Sequence, residues 1–234
     1  MLDIAKHKFI LVQILKDIYL DKDIGPILGF KGGTAVYLFY NLPRFSVDLD
    51  FNLLDETKIA LVFRKIKSIL IKYGKLKEAK EKRFTLFFII SYGEKDTNIK
   101  LEISKRKYPD KYEIKNYLGI SMLVMGKDDM AAHKLVALLE RKSIANRDLF
   151  DIWYFFKNNW SVNKDLVEIR TGQKFEKILK KCIKIVEQIK EKTILQGLGE
   201  ILEERQKDRV KAKLKQELLF LLNYYLNNIS VLGK

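Results

Sequence analysis

The stretch Gly32-Gly33-Thr34, followed after thirteen residues by Asp48-Leu49-Asp50-Phe51, limits the possible folds more than any other feature of the chain. Pro26 to Phe30 is a short apolar run that reads as a buried strand. Gly32-Gly33 breaks it, Thr34 can cap a helix running through Tyr40, and Pro43 ends that helix. From Phe45 to Leu53 polar and apolar residues alternate for several positions, which predicts a second strand. Side chains two apart in a strand share a face, so Asp48 and Asp50 are expected to point together with Val47, Leu49 and Phe51 packed behind them. Two carboxylates held that close repel, and desolvation adds to the cost, unless a cation lies between them. Such a pair suits phosphoryl transfer with two metal ions. The glycines fit the same picture: without Cβ atoms, Gly32 and Gly33 let backbone amides approach a triphosphate at a helix N-terminus. Each piece alone is common in ordinary strands and turns; the order strand, Gly-Gly, helix, strand is what makes the combination specific.

Around this core, Ile4, Leu11, Ile14, Leu15 and Ile18 form one stripe and predict a helix over 4–19, and residues 58–73 predict another. Phe84 to Ser91 and Thr97 to Ser104 read as a hairpin turning at Gly93-Glu94-Lys95-Asp96, with a further short strand at Ile120 to Val124. After Gly126 the pattern becomes helical, over 128–142, 146–157, about 173–190 and about 208–228. The expected class is α+β: a mixed sheet with flanking helices in a catalytic domain over 1–125, then a helical bundle over 126–234 that completes the active-site cleft.

With 234 residues, nearly half of them hydrophobic, the chain can bury a substantial core. No apolar run approaches the roughly 18–20 residues that cross a bilayer, no signal-peptide pattern opens the sequence, and one cysteine, Cys182, permits no intrachain disulfide. A reducing cytoplasm with no membrane partner is the expectation. Cys182 with only His7 and His133 cannot build a Cys/His zinc site, so any metal is carboxylate-bound, pointing to Mg²⁺ or Mn²⁺. The net charge of +15 attracts polyanions, with nucleic acid the leading partner. Residues 64–83 carry nine basic and two acidic side chains, and 171–215 carry thirteen and seven; a solvated face is the default for such runs.

Glu102, on a strand whose Ile99, Leu101 and Ile103 share the other face, could complete a metal site or simply pair with Lys100. A second cluster spans Lys134 to Asp151. Lys134, Leu138 and Arg141 share a helical face, Asn146 can cap the next helix, and Asp148 and Asp151 lie on one side of it. Periodicity alone assigns these acids to the helix macrodipole and the cations to solvent; gripping phosphate with Lys134 and orienting a reacting group with Asp148 or Asp151 is the functional alternative. His133, on another face, and Cys182, in an apolar stripe, read as structural.

Lys31-Gly32-Gly33-Thr34-Ala35, Arg44 to Phe51, Lys134 and Arg147 to Asp151 together resemble the AbiEii/AbiGii-type nucleotidyltransferase toxins, which include the MenT toxins and belong to the DNA polymerase β-like nucleotidyltransferase superfamily. The resemblance spans roughly residues 25–155. It implies nucleotide binding by Gly32, Gly33, Thr34 and Ser46, metal ligation by Asp48 and Asp50 (with Glu102 the third candidate ligand from the strand pattern alone), an essential Lys134 that also holds nucleotide, and Asp148 as the later catalytic aspartate, with Asp151 as its alternative. It further implies a nucleoside triphosphate substrate, a cognate antitoxin as partner, and a toxin-antitoxin or phage-defence role in which nucleotides are added to the 3′ end of tRNA and translation stops. The superfamily commonly carries Gly-Ser where this chain has Gly-Gly-Thr. Nucleotidylation of a protein or small-molecule hydroxyl is the alternative within the same chemistry, and a non-catalytic nucleotide-binding module the alternative outside it.

Overall fold

The computed structural model describes residues 3–93, 97–141 and 143–229. The expected turn at Glu94-Lys95-Asp96 and the end of the fourth predicted helix at Lys142 lie outside the described residues. The chain forms two compact units, one of Met1–Asn41, Phe45–Lys107 and Lys111–Met125, the other of Leu42–Arg44, Tyr108–Asp110 and Gly126–Lys234.

The first unit is a seven-stranded mixed sheet with helices. In chain order it contains α1 (Ile4–Leu20), β1 (Leu28–Lys31), α2 (Gly32–Phe39), β2 (Leu49–Leu53), α3 (Ile59–Leu70), β3 (Lys75–Lys82), β4 (Thr85–Tyr92), β5 (Thr97–Ser104), β6 (Tyr112–Tyr117) and β7 (Ile120–Met125). The strand order is β3-β4-β5-β2-β1-β7-β6, with β1–β2 antiparallel and β2–β5 and β1–β7 parallel. One face is closed by α1 and α3: Tyr19 of α1 meets Phe51 with ring centroids 6.5 Å apart, and Phe63 of α3 meets Phe88 at 5.0 Å. Asp3 starts α1 by accepting from the Lys6 amide at 3.0 Å. Ile14, Leu15 and Ile18, fully buried, are the apolar stripe read from the sequence.

Two strands, β3 and β6, go beyond the sequence expectation. β3 reads Lys-Leu-Lys-Glu-Ala-Lys-Glu-Lys and lacks the apolar alternation of a half-buried strand; its place comes from pairing with β4 along the whole edge, with a bulge between Leu76 and Glu78. Edge lysines are also the usual guard against pairing with foreign strands.

The second unit contains α4 (Lys127–Glu140), α5 (Asn146–Lys157), α6 (Lys164–Thr171), α7 (Phe175–Gln188) and α8 (Glu204–Asn227). α6 is an additional helix, opened by Asn163, which accepts from the Leu166 amide at 3.0 Å. Asn146 is not the cap of α5: its amide side chain instead donates to the carbonyls of Thr193 and Gln196 at 2.7 and 3.1 Å. Cys182 is buried with its thiol 3.8 Å from the Leu135 carbonyl, and burial pushes the thiol pKa up to about 12. It is a core residue. Among the described residues no helix is long and apolar enough to cross a membrane.

Candidate active site

β2 begins at Leu49, later than the alternation predicted, so Asp48 stands just outside the ladder. Its backbone is held by side chains instead. Thr34, buried in α2, donates its hydroxyl to the Asp48 carbonyl. The preceding Val47 carbonyl is 3.0 Å from Nε2 of His7, and Nδ1 of His7 is 2.5 Å from the Tyr92 hydroxyl. Burial lowers the His7 pKa, against the Val47 hydrogen bond and the Asp48 charge. A neutral ring with its proton on Nε2, donating to Val47 and accepting from Tyr92, satisfies both contacts. Thus the backbone groups that a longer strand would have paired are satisfied by residues from α1 and α2. Thr34 does not cap α2, whose N-cap is Lys31 without a side-chain bond; its hydroxyl proton is committed to Asp48. Ser46 is buried in the same segment.

Asp50 lies within β2, paired across the sheet with Lys31 on one side and Glu102 on the other. Gly32 has φ +80°, and a Cβ there would fall 2.5 Å from Asp50 Oδ2. Glycine is therefore needed twice, for the left-handed backbone and for room beside the carboxylate.

Lys100, the expected partner of Glu102, also meets Asp48 and so places a cation within this cluster. Its ammonium is 3.4 Å from Asp48 Oδ2 and 3.4 Å from Glu102 Oε2. Burial disfavours that charge, yet Asp48, Glu102 and Asp50 together raise the Lys100 pKa. Asp50 is raised above the usual carboxylate range, chiefly by burial, with Lys100 and Lys31 opposing and Asp48 and Glu102 adding. Among the described residues the three carboxylates do not close into a metal-holding group by themselves. The donor chemistry nonetheless suits Mg²⁺, which takes one or two protein carboxylates and completes its shell with water and substrate phosphate: these hard oxygen ligands already draw the Lys100 ammonium among them.

The second unit joins Lys134, Asp148 and Asp151 in one buried ion cluster and adds Arg44. Arg44 Nε and Nη2 grip Asp151 at 2.6 and 2.7 Å, with Arg44 almost and Asp151 wholly buried. Lys134 lies 2.9 Å from Asp148 Oδ1 and 2.9 Å from Asp151 Oδ2. Arg141 Nε is 2.6 Å from Asp148 Oδ2, which still lacks an aligned hydrogen-bond donor, so that contact is one of charge and not of geometry. Burial works against the charged forms, but Arg44 and Lys134 hold the Asp151 pKa down, and Asp151 and Asp148 hold the Lys134 pKa up. The structure thus gives Asp148 and Asp151 full-charge partners, not merely a helix dipole. His133, in the same unit, bridges Asp110 Oδ1 at 2.7 Å and Arg170 Nη1 at 2.5 Å, as befits a structural histidine.

Residues 13–223 match the family described as nucleotidyl transferase AbiEii toxin, type IV TA system. The chain belongs to that family. It is accordingly a nucleotidyltransferase of the toxin-antitoxin class, as the motif resemblance implied. No curated protein matches it in sequence. Solved structures that share its fold include two from Helicobacter pylori. A proposed nucleotidyltransferase from H. pylori is 22% identical with a TM-score of 0.66, covering 98% of this chain and 97% of that one. JHP933 from Helicobacter pylori is 23% identical with a TM-score of 0.58, covering 100% and 99%. Both likenesses bear on this AbiEii-family chain through its α+β fold alone.

Proposed function

We propose that this AbiEii-family enzyme transfers a nucleotidyl group from a nucleoside triphosphate to an RNA hydroxyl, with tRNA as the acceptor class, and so blocks translation. The carrying observation is the Asp48–Asp50–Glu102 cluster gathered around a cation beside the glycine turn. In the reaction the acceptor oxygen bonds to the α-phosphorus, the bond to the β-phosphate oxygen breaks, pyrophosphate leaves, and the acceptor hydroxyl loses its proton. Asp48 and Asp50 would hold Mg²⁺, which supplies charge neutralisation to the triphosphate. Gly33 and Thr34 open α2, and their backbone amides suit a phosphate at the helix N-terminus. Lys134 is proposed as a phosphate contact: two of its three donors meet aspartates, and 17% of its side chain is open to solvent. Asp148 and Asp151 then hold that ammonium charged.

The net charge of +15 supports RNA over a small acceptor. The test is incubation with total RNA, Mg²⁺ and each α-labelled nucleoside triphosphate separately, resolved on a denaturing gel. Label in a tRNA-sized band supports the proposal. Label confined to protein or to a small molecule overturns the RNA acceptor, and release of no pyrophosphate with any acceptor overturns transfer itself.

A further inference from the structure

The sheet face that carries the carboxylates does not end at Glu102. Register places Glu102 of β5 opposite Phe87 of β4, and Phe87 opposite Lys80 of β3. Residues two apart share a face, so Lys82 lies beside Lys80, and its ammonium stands 3.5 Å over the Phe87 ring. The opposite face of β4 is buried, with Leu86, Phe88 and Ile90 inaccessible and Phe88 covered by α3. On the carboxylate face Phe87 is half-buried, and Lys80 and Lys82 are exposed. Lys80 meets Glu78 at 3.0 Å, a surface pair worth little. At the β3–β4 turn Phe84 is 42% exposed, with the guanidinium groups of Arg83 and Arg106 4.9 and 4.6 Å from its ring centre.

An exposed ring such as Phe84 contributes little to folding, and three cations set against the rings of Phe84 and Phe87 are hard to explain as core packing. Bases stack on aromatic rings while lysines and arginines follow the backbone, and the combination is how single strands are held without sequence readout. We infer that this face, from Glu102 across Phe87 to Lys80 and Lys82, is the track on which the single-stranded end of the RNA acceptor lies, with the exposed Phe84 turn at the end of the β3–β4 hairpin as its outer stacking point. The inference rests on the RNA reading above and gives it a location in the catalytic unit. A protein strand adding to the β3 edge is the competing occupant; the alternating edge lysines argue against it.

The probe is a fluorescein-labelled, unstructured oligoribonucleotide of about 12 nucleotides, within the span such grooves cover. For wild type, log affinity is expected to fall linearly with log salt. Lys80→Glu with Lys82→Glu should weaken binding about tenfold and flatten the slope by roughly 1.4, at about 0.7 per lost single-strand phosphate contact. Phe84→Ala should weaken binding about fivefold or more with the slope unchanged, since it removes stacking and not charge. Nucleoside triphosphate affinity and melting temperature should hold in all variants, because these side chains are exposed and outside the carboxylate cluster. Unchanged RNA affinity and slope, alongside wild-type RNA labelling with an unaltered KM, would overturn the track and leave the RNA acceptor standing. A wild-type protein that neither binds nor labels RNA would overturn both. Variants that lose a protein partner while keeping RNA affinity would assign the edge to that partner instead.

Discussion

Asp151→Asn removes one of two negative charges from a buried cluster that also holds Arg44, Lys134 and Arg141. Three cations then face Asp148 alone. The amide keeps the shape of the carboxylate but cannot accept the two charged donors of Arg44 as an anion does. Breaking a buried pair by removing one partner typically costs about 3–5 kcal/mol, and Asp151, with none of its side chain exposed, has no solvent to soften the loss. For a protein of this size that corresponds to a fall of roughly 10 °C or more in melting temperature. The two tryptophans, Trp153 and Trp160, both belong to the helical unit, so fluorescence-detected urea unfolding reads that unit selectively. The pH dependence provides a second readout. Arg44 and Lys134 hold the folded-state pKa of Asp151 below its ordinary value. The stability it contributes is therefore fully present above the ordinary carboxylate pKa and lost as pH falls through the depressed one. Asp151→Asn should flatten the stability curve across that acidic window. Replacing both partners, Arg44→Met with Asp151→Leu, leaves the cluster with the same net charge as before and should recover most of the loss. A single variant that costs under about 1 kcal/mol, or a double variant no better than the single, would refute the reading of this cluster as a coupled buried network.

Gly32→Ala should cost about 1–2 kcal/mol of stability for the left-handed backbone, while the new methyl, 2.5 Å from Asp50 Oδ2, displaces the carboxylate and cuts transfer by about a hundredfold or more, the scale of a lost electrostatic contact at a reacting phosphate; near wild-type turnover would show that Asp50 need not stand where it does. Lys100→Met removes the ammonium that Asp48 and Glu102 hold, so Mn²⁺ binding without nucleotide, followed by its paramagnetic resonance signal, should tighten about tenfold, the equivalent of one charge pair in this setting. Weaker Mn²⁺ binding would instead make Lys100 a support of the metal site.

Much of the fold was legible because its long elements obey simple periodicities: the α1 stripe, the β4–β5 hairpin, and the helical stretch after Gly126. β3 was not, since one of its faces is open and its sequence offers no apolar alternation; only the neighbouring β4 fixes it. The Gly32 and Asp50 motif was readable by spacing, but the reason for glycine differs in part: it makes room for a carboxylate of β2 as well as for an amide approach. Asp48 left the strand because Thr34, with His7 holding the neighbouring Val47, satisfies the backbone there; His7 bonds across forty positions, beyond any local pattern. Arg44 is hidden from the sequence for the same reason, since its partner Asp151 lies 107 positions away, whereas the Lys100–Glu102 pair is legible on one strand face and only the contact of Lys100 with Asp48 needs the fold.

The carboxylate assignment meets its most direct test in transfer from an α-labelled nucleoside triphosphate by wild type, Asp48→Asn and Asp50→Asn, with Mg²⁺ titrated and melting curves as the folding control. Each asparagine variant should keep the wild-type fold and lose label incorporation at every Mg²⁺ concentration, because each removes a negative ligand from a dication. A folded variant that still transfers nucleotide at close to the wild-type rate would contradict the assignment.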